Sequence, residues 1–172
     1  MCAVGSPHNV PKAGKTYYLP KGLHARLKSA WWATQEQPTL SALVASVFEA
    51  ESSRRELACN AGRPFPAATA TLGPRARGVD GESHTYYLPV AVHERFVAAW
   101  AGSRTHTDAA ASVSALASEI LEAEAERLER TFNNGESFPP APAGARGVDP
   151  QAARRQGEKM AELWQKRRSK KE

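Results

Sequence analysis

The hexapeptide Lys15-Thr16-Tyr17-Tyr18-Leu19-Pro20 returns sixty-nine residues later as His84-Thr85-Tyr86-Tyr87-Leu88-Pro89. Threonine, two tyrosines and leucine favour an extended strand, and the next residue, proline, ends it. Proline is well placed in the first turn of a helix, where its missing N–H costs nothing. Each copy therefore reads as a short strand, residues 15–19 in the first, that hands over to a helix. One such strand cannot bury itself, and a two-stranded ribbon needs helices beneath it. Two copies in one chain supply both strands, so they are expected to pair.

The segment after each strand repeats as well. Leu23, Leu27 and Trp31 form an apolar stripe at spacing four, which predicts a helix over about 21–32 with Arg26 and Lys28 on its wet side. Thr39 or Ser41 can cap a second helix whose apolar positions are Leu40, Leu43, Val44, Val47 and Phe48. It runs to about residue 57, and Asn60-Ala61-Gly62 ends it. In the second copy Val92, Phe96 and Trp100 take the places of Leu23, Leu27 and Trp31. After a four-residue insertion within 102–108, Val113, Leu116, Ala117, Ile120 and Leu121 answer the second helix. Asn133-Asn134-Gly135 and Phe138-Pro139 match Asn60-Ala61-Gly62 and Phe65-Pro66. A match this long, with its helical faces preserved, is a duplication. It divides the chain into a flexible arm (1–14), a first β-α-α unit (15–66), a linker (67–83), a second unit (84–142) and a basic, partly helical tail (143–172).

The net charge of +5 and basic pI suggest an anionic partner. Charge is unevenly spread: residues 15–66 carry +3, residues 84–139 carry −4, and residues 140–172 carry +5. Cys2 and Cys59 lack pairing or metal-ligand spacing, which fits a reduced cytosolic setting. There is no apolar run of about 18 residues, so no membrane span is expected. The N-terminus lacks the apolar core of a signal peptide. There is no phosphate-binding Gly-x-x-x-x-Gly-Lys loop, paired-cysteine site or nucleophile motif, so neither an enzyme nor a metal or other cofactor is expected. His24 and His93, equivalent by repeat, read as solvated. The acidic run Glu119, Glu122, Glu124, Glu126 and Glu129 reads as a wet helix face turned away from any nucleic acid. Trp31 and Trp100 are expected to pack, and Trp32, opposite Ala101 in the repeat, to lie on the surface.

Alternate residues of a strand face opposite sides. Leu19 must join the core beside Leu23, so Tyr17, Leu19, Tyr86 and Leu88 are expected inside. That leaves Thr16, Tyr18, Thr85 and Tyr87 facing out. A two-stranded ribbon fits the major groove of B-DNA, where such side chains can touch base edges. The start of each second helix, with free N–H groups and a favourable dipole, suits a phosphate. Thr39, Ser41, Ser112 and Ser114 lie at those starts, and Lys15, Lys21, Arg26 and Lys28 could add phosphate contacts.

At these residues the sequence resembles the ribbon-helix-helix family, which includes the repressors Arc and MetJ. More narrowly, it is similar to the ParB-type centromere-binding proteins of actinobacterial plasmids. The likeness is carried by Thr-Tyr-Tyr-Leu-Pro, by aromatics like Trp31 and Trp32 in the first helix, and by an Asn-x-Gly-x-x-Phe-Pro ending like residues 133–139. It covers about residues 15–66 and 84–142. The resemblance implies a mainly α fold with a short β ribbon that binds double-stranded DNA at repeated centromere or operator sites, with self-association on the DNA. Members usually carry one unit and dimerise, so the fused units predict a tandem ribbon-helix-helix protein forming an intramolecular pseudo-dimer. Many relatives carry Arg or Lys on the DNA-facing strand, where this chain has Thr and Tyr. The resemblance also implies a ParA-type ATPase partner, often met through an arginine-bearing arm. The arm here has Lys12 and no arginine. Lys166, Arg167, Arg168, Lys170 and Lys171 of the tail are therefore the candidates for ATPase or nonspecific DNA contact. A transcriptional repressor or antitoxin of the same fold is the alternative, and a helical protein-interaction module without DNA binding is a second one. The expected location is the cytoplasm, associated with the nucleoid or a plasmid.

Overall fold

A computed structural model describes residues 10–68, 80–106 and 110–145. The elements are β1 (Lys12–Pro20), α1 (Leu23–Thr34), α2 (Leu40–Cys59), β2 (Gly81–Pro89), α3 (Val90–Ser103) and α4 (Val113–Phe132). The described residues thus form four helices and one two-stranded antiparallel sheet, with Lys12 opposite Pro89, Thr16 opposite Thr85 and Pro20 opposite Gly81. No helix among them is long and apolar enough to cross a membrane. Lys166, Arg167, Arg168, Lys170 and Lys171 lie outside the described residues, as do the first nine residues and most of the linker.

Each strand is nine residues long. Lys12, Ala13 and Gly14 belong to β1 rather than to an arm, and Gly81, Glu82 and Ser83 belong to β2 rather than to a linker. None of these residues favours a strand strongly. Among the described residues, however, each strand is the other's only source of ladder partners, and pairing persists while both backbones stay extended. The first helix starts at Leu23, with its stripe, and not at the expected residue 21, because Pro20 ends the strand and Gly22 turns the chain at φ 85°. Glycine adopts that left-handed angle at no steric cost. In the second copy, by contrast, α3 starts directly after Pro89. Thr39 and Ser112 cap α2 and α4, accepting from the N–H groups of Ala42 and Ala115 at 3.0 and 3.1 Å.

The helices cross between copies: α2 packs on α3, and α1 on α4. Tyr17, Leu19, Tyr86 and Leu88 close the core from the ribbon side, over Leu27, Phe48, Phe96 and Leu121. Phe48 and Phe96 stack with centroids 4.0 Å apart, and Tyr17 meets Phe48 edge-on at 5.3 Å. Trp31 and Trp100 are buried, and their indole N–H groups donate to the carbonyls of Gln37 and Ala110, tying down the loops before α2 and α4. Trp32 is partly exposed. Phe138 packs against the core, and the Phe65 ring fills the space a Cβ at Gly102 would need. Gly→Ala inside a helix ordinarily stabilises by about 1 kcal/mol. Gly102→Ala should instead lower the melting temperature, because overpacking costs about 1–3 kcal/mol. A raised melting temperature would show that Phe65 can move aside freely.

Two carboxylates lock the crossed helices. Glu56 on α2 accepts from Arg95 on α3 at 2.9 and 2.5 Å, and Glu129 on α4 accepts from Arg26 on α1 at 2.9 and 2.5 Å. Both glutamates are buried. The fork-like guanidinium hydrogen bonds hold each carboxyl below the usual carboxylate range despite that burial. These pairs correct two sequence readings. Arg26 is committed to Glu129 instead of being free for a phosphate, and Glu129 belongs to a helix contact instead of a solvated face. Burial at the α1–α4 crossing, invisible in a charge run, is the reason.

Candidate nucleic-acid interface

Burial along the strands alternates with the pleat. Tyr17 and Tyr86 are each 2% exposed, whereas Tyr18 and Tyr87 are 38% and 67% exposed. Thr16 and Thr85 are exposed and face each other, their Oγ1 atoms 2.8 Å apart. Thr16, Tyr18, Thr85 and Tyr87 therefore share one outward row. One hydroxyl proton closes the threonine pair; the other, with the remaining lone pairs, is left for an outside partner.

The repeat offset and the strand register coincide only at Thr16–Thr85, where a residue faces its own counterpart. Contacts recur about that point. The Tyr17 hydroxyl meets His93 Nδ1 at 2.8 Å, and the Tyr86 hydroxyl meets His24 Nδ1 at 3.0 Å. The Arg26–Glu129 and Arg95–Glu56 pairs are likewise counterparts, as are the caps Thr39 and Ser112. Ser41 Oγ accepts from the Tyr87 N–H at 3.2 Å, and Ser114 Oγ from the Tyr18 N–H at 3.3 Å. The α2 start is thus tied to one end of the ribbon and the α4 start to the other.

The side chains predicted to hold phosphates divide. Ser41 and Ser114 anchor the ribbon as acceptors and keep a hydroxyl proton to donate. Thr39 is partly accessible, but Ser112 is buried beneath its capping bond, so its side chain is withdrawn from any phosphate. Leu40 and Ser41, with Val113 and Ser114, sit in the first turns whose N–H groups have no partner within the helix. Lys15 shares the inward parity of Tyr17 and lines a hollow of about 370 Å³ with Ala67, Ala68, His93, Glu94 and Val97. It lies apart from the outward row. Lys21 is exposed in the turn after β1, where its N–H donates to the Asp80 carbonyl at 3.3 Å. Lys28 is half-buried and close enough to His24 to repel its protonated form.

His24 and His93 are half-buried and engaged by tyrosines, where the sequence reading had them solvated. Tyr86 and Tyr17 approach them from beneath the ribbon, and His24 stacks on His84 with centroids 4.0 Å apart. Burial pulls both down to about 4, with help from His84 and Lys28 at His24 and from Lys15 at His93. Burial also pushes both tyrosines up, so neutral imidazoles meet intact phenols. The unfolded chain then takes up protons the folded one refuses. Stability should be complete above the ordinary histidine value of about 6.5 and decline as pH falls toward 4. Discounted for partial solvent screening, the loss is about 1 kcal/mol per histidine. Melting curves from pH 7 to 5 should show it, and His24→Gln with His93→Gln should flatten the slope. A wild-type curve already flat would refute the assignment.

The extended strands also bring Lys12, Gly14 and Ser83 onto the outward parity. Sequence reasoning missed them because it stopped the strands at the β-favouring residues. Continuing the alternation from Thr16 back to Gly14 and Lys12 would have found the first two. No family model, curated protein or solved structure matches the chain.

Proposed function

We propose that this chain binds double-stranded DNA sequence-specifically. In this reading, two fused ribbon-helix-helix units form an intramolecular pseudo-dimer and lay the β1–β2 ribbon into the major groove. The observation that carries it is the outward row Thr16, Tyr18, Thr85 and Tyr87, centred on the threonine pair, with a helix start tied to each end. The major groove is about 12 Å wide and admits a two-stranded ribbon. Threonine methyls and tyrosine rings suit the thymine methyl, their hydroxyls suit base-edge donors and acceptors, and the helix starts would fix register on phosphates. Exposed tyrosines in duplicate on a solvent face are otherwise a liability.

The proposed role is plasmid partition, as a centromere-binding protein without catalytic activity, acting on plasmid DNA in the cytoplasm. A ParA-type ATPase is the proposed protein partner through the basic tail. That role rests on the resemblance of the Thr-Tyr-Tyr-Leu-Pro strand and the Asn-x-Gly-x-x-Phe-Pro ending. A repressor or antitoxin would use the same contacts, and a neighbouring gene for a ParA-like ATPase or for a toxin separates the two.

A gel-shift titration against salt tests the reading. A specific complex with repeats of the host plasmid is expected. Each phosphate neutralised should contribute about −0.9 to the slope of log K against log salt, so about four contacts give a slope of about −3.6. The free protein should have the mass of one chain. No complex at low salt with any host repeat would remove the reading.

A further inference from the structure

The two ends of the ribbon are chemically unequal. At one end the outward row holds Lys12, then Gly14 opposite Tyr87; at the other, Gly81, then Ser83 opposite Tyr18. Lys12 and Gly81 are repeat counterparts, as are Gly14 and Ser83. Tyr87 is 67% exposed beside the bare backbone of Gly14. Tyr18 is only 38% exposed, and its ring lies over Gly81. A Cβ at Gly81 would come within 2.8 Å of that ring and 2.5 Å of the Leu19 carbonyl. This end therefore cannot acquire the cation the other end has without moving backbone. Charge reinforces the difference. Lys12 stands on the outward row at the Tyr87 end, whereas the Tyr18 end has exposed Asp80 and Glu82 beside Lys21. Carboxylates there repel phosphate, while Lys12 at the far end attracts it.

We infer that the chain reads DNA with a fixed polarity, the Lys12–Tyr87 end making the discriminating contacts and the Tyr18–Gly81 end the weaker ones. This rests on the ribbon being the DNA-reading face. The target is then a two-sided duplex site, one half tightly specified and the other loosely. A protein with equal ends would select a perfect inverted repeat; this one selects a lopsided site and occupies it in one orientation.

Site selection from a randomised duplex library with the full chain supplies the probe. Gel shifts are then run on the selected duplex and on two palindromes, each built from one of its halves. The palindrome of the tightly specified half should bind within about 3-fold of the selected site, and that of the loose half at least 10-fold more weakly. Tyr87→Ala should cost at least 10-fold more affinity for the selected site than Tyr18→Ala. Gly14→Ser with Ser83→Gly should narrow that gap. A side chain at Gly14 meets the Thr85 methyl at 3.3 Å and the Tyr87 ring at 3.7 Å, so a small shift accommodates it. Asp80→Asn with Glu82→Gln should raise affinity for every duplex at low salt. A symmetric selected site, with equal losses for the two tyrosine variants, would overturn the polarity and leave DNA reading intact. Failure to select any site would overturn both.

Discussion

Tyr18→Ala combined with Tyr87→Ala is expected to cut affinity for the selected duplex by about 30- to 1,000-fold while barely changing nonspecific binding. A bidentate base contact is worth about 1–3 kcal/mol of discrimination; single tyrosine contacts at about 1–2 kcal/mol each give about 2–4 kcal/mol together. The rings can be removed without opening the core, because both are substantially exposed and the buried partners on the strands are Tyr17, Leu19, Tyr86 and Leu88. The cost in stability should stay near the roughly 1 kcal/mol span of strand preference. Competition gel shifts against random duplex measure the first quantity and thermal melting the second. A collapse in melting temperature with specificity unchanged would mean that the tyrosines hold the ribbon together instead of reading through it.

Arg95→Ala is expected to destabilise the fold by about 3–5 kcal/mol, because it strands the Glu56 carboxylate in a site with 3% side-chain exposure. Arg26→Ala should act in the same way on Glu129, at 5%. The pairs bridge helices of different copies, α2 to α3 and α4 to α1, so their loss loosens the crossing and not merely one helix. The effect has a pH signature. The arginine hydrogen bond holds the Glu56 carboxyl low, so the pair's contribution is present above the ordinary glutamate range and fades as pH falls through the depressed value. Denaturant melts of wild type and Arg95→Ala should therefore differ most at neutral pH and converge only once pH has fallen below the ordinary glutamate range. Glu56→Met with Arg95→Leu should recover most of the loss, since an apolar pair of similar volume is often neutral or better than a buried ion pair. A cost under about 1 kcal/mol for Arg95→Ala would mark the contact as a surface-type pair.

Much of this architecture was written in the periodicities. Leu23, Leu27 and Trp31 recurring as Val92, Phe96 and Trp100 located α1 and α3, and Thr39 with Ser41 and Ser112 with Ser114 bracketed the starts of α2 and α4, where the structure makes Thr39 and Ser112 the caps. The alternation Thr16-Tyr17-Tyr18-Leu19 sorted the inward residues from the outward ones, because an extended backbone admits no other arrangement. The strand lengths were not legible. Gly14 and Gly81 are poor strand formers, and only an opposite backbone made them part of a ribbon. Nor could the charge pattern tell Glu129 from Glu126, or Arg26 from Lys21. The members of each ion pair lie more than thirty residues apart in the chain and meet only where helices cross.

The amino-acid order by itself determined the duplication, and with it the four helices and the face each strand turns inward, which depend on neighbours within a few residues. Tertiary structure alone decided how far the strands extend, which charges are buried, why His24 and His93 sit neutral under tyrosines, and why Tyr18 lies over Gly81 while Tyr87 stands clear. Each of those depends on where distant backbone arrives, and burial, not composition, sets its energy.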